Sequence, residues 1–173
     1  MISKKMFGAL NSQITKEFYS AYLYLSMASY FESETLPGFA HWMRIQAQEE
    51  SSHGLILFNY VVDQDGRVVL GAVEAPPSDF TSPLDVFKKT LGHEREVTAS
   101  IHRMVKLALE EGDFATHATL NWFVTEQVEE EANAKTLIGK LERCKSSSEG
   151  LAMLDTELAA RVFTVPPPLV GKL

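Results

Sequence analysis

The stretch Thr125–Lys135, TEQVEEEANAK, carries Glu126, Gln127, Glu129, Glu130 and Glu131 within six positions. An acidic run on a helix ordinarily faces water. On a wheel at about 100° per residue, however, Gln127 and Glu130 fall inside an apolar stripe of Leu120, Phe123, Ala134, Leu137, Ile138 and Leu141. Glu126 lies at the edge of that stripe and Glu129 beyond it. The anomaly recurs three times. Glu17 is central to Leu10, Ile14, Ala21, Tyr24 and Ala28. Glu50 is central to Phe39, Met43, Ala47, Leu57 and Val61, with His53 one turn on at the flank. Glu94 is central to Phe87, Leu91, Ile101, Val105 and Leu109. A buried carboxylate without a partner costs several kcal/mol, and clustering like charges costs more. Two remedies exist: protonate the acids or bind cations. Four Glu, one His and a nearby Gln form an oxygen-rich donor set with one imidazole. That set suits iron or manganese better than zinc, which favours four ligands richer in nitrogen or sulfur. Two divalent ions would neutralise four carboxylates, so the chemistry points to a dinuclear site.

The elements that must position these acids are helices. The first is expected over about Ser3–Phe31 and the second over about Pro37–Val62, with ETLPG as the break and Pro37 at the start of the second. RVVLGAVEAPPSDFTSP is a long connection with little helical pattern, and RVVL has the character of a short extended piece. A third helix follows Ser82-Pro83 and runs to about Glu111. EGD breaks the chain, and a fourth helix runs over about Phe114–Arg143. KSSSEG ends it and a short fifth helix lies within about 147–160. The prolines of VPPPLVGKL exclude a helix through the tail, 164–173. A helix of 28 residues is about 42 Å long. Two such pairs, each closed by a tight turn and joined by one crossover, predict an all-α up-down bundle over about 3–143, within a single domain, 1–173.

The turns also set the heights. The midpoint of Glu17 and Glu50 falls in ESET, and that of Glu94 and Glu130 is Gly112. Each pair reflects across its own turn, which places all four acids at one level.

Composition narrows the classes of function. The 173 residues are 45% hydrophobic and 23% charged, as expected of a globular domain. The net charge of −7 argues against nucleic-acid binding through overall charge and is compatible with cationic partners. The one cysteine, Cys144, excludes an intrachain disulfide and a cysteine-rich zinc site, and fits a reducing cytoplasm. Neither a signal-peptide pattern nor a run of about 18 apolar residues is present, so no membrane association is expected.

At Glu17 in ITKEFYSAYLYLSM, Glu49-Glu50-x-x-His53 in AQEESSH, Glu94 in LGHERE, and TEQVEEE, the sequence resembles the ferritins, specifically the non-haem prokaryotic type. The resemblance spans about Met6–Ala160. It implies a ferritin-like four-helix bundle with one long crossover and a short fifth helix. The implied activity is that of a ferroxidase and iron store, with Fe(II) and O2 as substrates. It implies two irons per subunit: the first held by Glu17, Glu50 and His53, the second by Glu94, Glu130 and bridging Glu50. Gln127 would stand beside the second iron or hydrogen-bond bound oxygen. Glu49, Glu126 and Glu129, with shared Glu130, would form a third iron site. Tyr24 matches the family's tyrosine beside the centre and would act with Glu50 and Gln127 in catalysis as an electron donor. Trp122 would be a second redox-active neighbour. The resemblance further implies a cytoplasmic homo-oligomer, a 24-subunit cage, with the fifth helix at the fourfold axes. Ser51 replaces the haem-ligating methionine of bacterioferritins, and Gln127-x-x-Glu130 replaces their second Glu-x-x-His, so no haem is expected. Two rival readings remain open at the level of sequence: a metal-free bundle whose acids are protonated, and a di-iron oxygenase acting on an organic substrate.

Overall fold

A computed structural model describes residues 2–144 and 147–172. It contains α1 (Lys4–Ser33), α2 (Pro37–Asp63), α3 (Pro83–Glu111), α4 (Phe114–Cys144), α5 (Ser148–Leu158) and a 3-10 turn at Pro167–Leu169. The expected helices all form within three residues of their anticipated ends. Lys145 and Ser146, the start of the KSSSEG break, lie outside the described residues.

Local chemistry explains the helix starts. Ser3 Oγ accepts from the Met6 amide at 3.0 Å, and Ser82 Oγ from the Asp85 amide at 3.1 Å, ahead of Pro83 in the first turn. Gly112, at φ 66°, ends α3 in the left-handed region, and the Asp113 amide returns to the Ala108 carbonyl at 2.8 Å. The N-cap of α2, Leu36, has no side-chain acceptor to offer. Asp155 of α5 supplies one from a distance, accepting from the Gly38 and Phe39 amides at 2.8 and 3.0 Å. This contact pins α5 to the end of the bundle. A Cβ at Gly38 would stand 1.8 Å from the Asp155 carbonyl oxygen, so the close approach requires glycine there.

The helices pack as two antiparallel pairs, α1 with α2 and α3 with α4, and α1 also lies against α3. The buried positions recur in sevens: 10, 17, 24 and 31 on α1; 43, 50 and 57 on α2; 87, 94, 101 and 108 on α3; 120, 127, 134 and 141 on α4. A seven-residue repeat marks a seam that follows a left-handed supercoil rather than a straight helix. It corrects the straight-wheel stripe on α3. Ile101 and Ala108 are buried, whereas Leu91 and Val105 are half-buried and Leu109 is 54% exposed, rotated off the seam near the helix end. Ile138 on α4 is likewise half-buried.

The core is split in two. One cluster joins Tyr24, Phe31, Phe39, Trp42, Phe87 and Leu141, and the other joins Met6, Leu10, Leu57, Ile101, Leu120 and Phe123. Each long helix passes from one cluster to the other at its acid, so a polar layer lies across the middle of the bundle.

The crossover is held without a partner strand, and one expectation, that for the tail, needs correction. RVVL pairs with no strand among the described residues. Asn11 Oδ1 and Thr15 Oγ1 on α1 accept from the Val69 and Gly71 amides, at 2.7 and 3.1 Å, in place of a partner strand. The tail is not free of helix: Pro167–Leu169 makes one 3-10 turn, whose tighter i to i+3 pattern tolerates proline at its start.

Candidate metal centre

Glu17, Glu50 and Glu94 are each 1% exposed and Glu130 is 4% exposed. Every long helix therefore contributes a carboxylate to the polar layer, with His53 and Gln127 buried beside them. No lysine or arginine is paired with any of these four acids among the described residues. Their contacts are with neutral groups. Gln13, one turn before Glu17, donates to Glu17 Oε1 at 2.8 Å. Gln46, one turn before Glu50, donates to Glu130 Oε2 at 2.7 Å and to Glu50 Oε1 at 3.3 Å. Gln127 donates to Glu94 Oε2 at 3.1 Å, and the Tyr24 hydroxyl donates to Glu94 Oε1.

Among the described residues, two buried side-chain atoms have no hydrogen-bond partner, Glu17 Oε2 and His53 Nε2. Unpartnered polar atoms at this depth are uncommon and point to a ligand. Glu17, Glu50 and His53 each place a ligand atom within 4.8 Å of the others, and so do His53, Glu126 and Glu130. His53 stands between the two groups, with Nδ1 3.5 Å from Glu50 Oε2 and Nε2 3.8 Å from Glu126 Oε1. An oxygen-rich set with one imidazole and unpartnered donor atoms fits a hard or borderline divalent cation such as Fe(II).

The structure brings together Glu17, Glu50 and His53, the ligands expected for a first iron. Glu94 and Glu130, expected around a second, share the layer, although Glu94 is turned toward Tyr24 and Gln127. Of the acids expected around a third iron, Glu126 is half-buried and stands by His53, and Glu129 is exposed. Glu49 is paired with Arg161. Trp122 packs edge-on against His53, ring centroids 5.4 Å apart.

Three participants escaped the sequence reading. Gln13 and Gln46 carried a legible signal, since each lies four residues before a core glutamate and therefore on its face. Arg161 carried none. It lies beyond α5, yet its guanidinium stacks over Trp42 at 4.2 Å, donates to Gln46 Oε1 at 2.8 Å and pairs with Glu49.

Burial dominates the electrostatics. It pushes the Glu17 carboxyl up to about 8, with the neighbouring Glu50 charge adding to the rise. Burial followed by the Glu94 charge pushes Glu50 and Glu130 well above the usual carboxylate range. Burial also raises the Tyr24 phenol, assisted by Glu94, so Tyr24 keeps its proton as a donor. A metal ion would exchange these protons for its own charge.

Carboxylates from all four helices of a bundle, gathered in one buried layer, are the arrangement of the ferritin-like carboxylate proteins, which carry Glu-x-x-His on two helices where this chain has Glu50-x-x-His53 on α2 and Gln127-x-x-Glu130 on α4. The chain matches the ferritin-like domain family over residues 7–144. It is 40% identical to the bacterial non-heme ferritin of Staphylococcus aureus, over 94% of this chain and 98% of that one. The open-pore ferritin of the hyperthermophilic archaeon Archaeoglobus fulgidus is 51% identical, superposes with a TM-score of 0.92, and is matched over 94% of this chain and 100% of that one. A closed form of the A. fulgidus ferritin made by site-directed mutagenesis is 52% identical with a TM-score of 0.93, over 95% of this chain and 100% of that one. The chain belongs to the ferritin family of iron-storage proteins.

The raised carboxylates make a prediction for the metal-free protein. Folded Glu17 titrates near 8 and its ordinary value is 4.5. The folded chain thus holds an extra proton between those values, and the corresponding stability is lost as pH rises through them. Glu50 and Glu130 act with the same sign. Burial lowers His93, which acts oppositely, but only up to its ordinary value of 6.5. From about pH 6.5 to about pH 8 the melting temperature of chelator-treated protein is expected to fall. A melting temperature that climbs across this window would contradict the assignment.

Proposed function

We propose that this chain is a ferroxidase, oxidising Fe(II) with O2 at Glu17, Glu50, His53, Glu94 and Glu130. The carrying observation is the layer of four buried carboxylates without a cationic side chain, with Glu17 Oε2 and His53 Nε2 unpartnered. Fe(II) is substrate and cargo here: each ion gives up one electron, O2 accepts the electrons, and the ferric product passes to storage. The chain's own contribution is to fix the ligands and protons. Gln13 and Gln46 hold Glu17, Glu50 and Glu130 in place. Gln127 and Tyr24 hold Glu94, and Tyr24 is the side chain placed to supply a further electron. A carboxylate-rich set stabilises Fe(III) over Fe(II) and so favours oxidation. The two apolar clusters keep bulk water from both ends of the layer. Glu49, Glu126 and Glu129 make a third, more accessible iron position.

The chain is proposed to act as one domain, in the cytoplasm, within a 24-subunit cage holding the mineral. No helix among the described residues is long and apolar enough to cross a membrane. Self-association is supported by an apolar surface along α1 and the crossover, where Tyr22, Leu25, Val69 and Leu70 are 51, 48, 64 and 59% exposed. Asn11, Thr15 and Ser26, which anchor the crossover, share the α1 stripe that carries Tyr22, so the crossover and Tyr22 occupy the same face of α1.

Two measurements test this reading. In stopped-flow mixing of Fe(II) with aerobic protein, Glu94→Ala should slow the fast ferric absorbance rise about tenfold or more, whereas Tyr24→Phe should spare the first turnover and slow later ones. An unchanged fast phase in Glu94→Ala would refute the second-iron assignment, and unchanged later turnovers in Tyr24→Phe would refute the electron-donor role. In size-exclusion chromatography with light scattering, the wild type should elute as the large assembly, and Leu25→Arg with Leu70→Arg as small species. A monomeric wild type would remove the cage from the proposal.

A further inference from the structure

The C-terminal tail runs along α2. From α5, docked on the α2 N-terminus by Asp155, it brings Arg161 to Trp42 and Glu49, buries Leu169 among the residues of the Met6–Leu57 cluster, and ends with Lys172 3.1 Å from Asp63. Between the tail and the helices lies a cavity of about 320 Å³, lined by Glu49, Glu126 and Glu129 from α2 and α4 and by Arg161 and Val165 from the tail. Beside it the fully buried His53 Nε2, lacking any hydrogen bond, stands 3.8 Å from Glu126 Oε1. The cavity thus combines three acids and one internal cation, and its Glu126 wall adjoins an unpartnered imidazole nitrogen.

We propose that Arg161 is the built-in occupant of the third cation position: its guanidinium neutralises Glu49, and a metal ion is held by Glu49, Glu126 and Glu129 only after displacing it. The proposal rests on the functional reading above. Arg161 and Glu49 are each 18% exposed at the side chain, so their pairing is mostly shielded from solvent and competes strongly with an entering ion. The guanidinium is held in place by its other contacts: it stacks on Trp42, donates to the Trp42 carbonyl at 3.4 Å and donates to Gln46 Oε1 at 2.8 Å. The Gln46 bond fixes which end of that amide faces the layer, where its nitrogen reaches Glu130 and Glu50. Arg161 is therefore a positioning residue. It touches no reacting atom, but it links the occupancy of the cavity to the hydrogen bonds of two core carboxylates. The consequence is a third position that binds more weakly than the first two and releases its ion readily, as a transit stop requires.

The test is anaerobic calorimetric titration of redox-inert Zn(II) into chelator-treated, full-length, assembled protein. The wild type is expected to bind two ions tightly and a third more weakly. In Arg161→Gln the third should tighten about ten- to a hundredfold, the loss expected of a competing charge-assisted hydrogen bond, while the first two sites remain. Arg161→Lys, which keeps the charge without the planar fork, should fall between. A second readout is Trp42 emission in a Trp122→Phe background: the third equivalent of Zn(II) should shift it as the guanidinium leaves the ring, and should not do so with Arg161→Gln. Two strong sites with a third of unchanged affinity in Arg161→Gln would overturn this proposal alone. Absence of the two strong sites from the wild type would overturn the di-iron reading and this proposal with it.

Discussion

The structure turns on an uncompensated burial of negative charge. Four carboxylates sit inside a helical bundle, and the described residues around them provide amides, hydroxyls and one imidazole rather than lysine or arginine. Proteins ordinarily bury a charge only with a partner of opposite sign. Here the basic side chains of Arg161 and Lys16 stop one and two residues short of the acids. Arg161 reaches Gln46, and Lys16 reaches Ser100, whose hydroxyl donates to Gln13 at 2.6 Å. The glutamine amides then present N–H groups to the acids. Such a layer is tolerable when protonated and strongly attractive to divalent cations when ionised. That competition between protons and metal links stability, pH and function.

The remainder of the fold supports this layer. Two apolar clusters brace it from either end, and the seven-residue seam carries each long helix through both. The seam puts Glu17 in register with Leu10 and Tyr24, and Glu94 with Phe87 and Ile101, so the acids occupy positions that packing would otherwise fill with hydrocarbon. The cost of that substitution is borne by large side chains on both sides, among them Phe31, Phe39, Phe87 and Phe123. The tight turns keep the acids level, and α5, pinned by Asp155, starts the tail on the path that brings Arg161 to Glu49.

Much of this was legible in the sequence because it depends on local periodicity. The five helices, the crossover and the inward direction of Glu17, Glu50, Glu94, Gln127 and Glu130 all follow from apolar spacing and turn residues. Reflection of paired acids across their turns needed only helix rise. The straight wheel failed where the seam drifts: Leu109 was placed in the core and turns outward, since a repeat of seven gains on a helix of 3.6. The crossover's RVVL has strand-like composition, but its backbone is satisfied by side chains of α1, which no local pattern reveals. Arg161 was invisible for a related reason. Its partners Trp42, Gln46 and Glu49 lie more than a hundred residues earlier, and it sits in irregular chain where no period assigns a face.

The central claim is that metal ions belong between these buried acids, and crystals soaked anaerobically in Fe(II) with anomalous diffraction at the iron edge test it most directly. The account predicts two strong anomalous peaks inside the bundle, one ringed by Glu17, Glu50 and His53 and the other by Glu94 and Glu130, with Glu50 between them. Iron confined to surface carboxylates, with the four buried acids still bonded only to glutamine and to Tyr24, would contradict it.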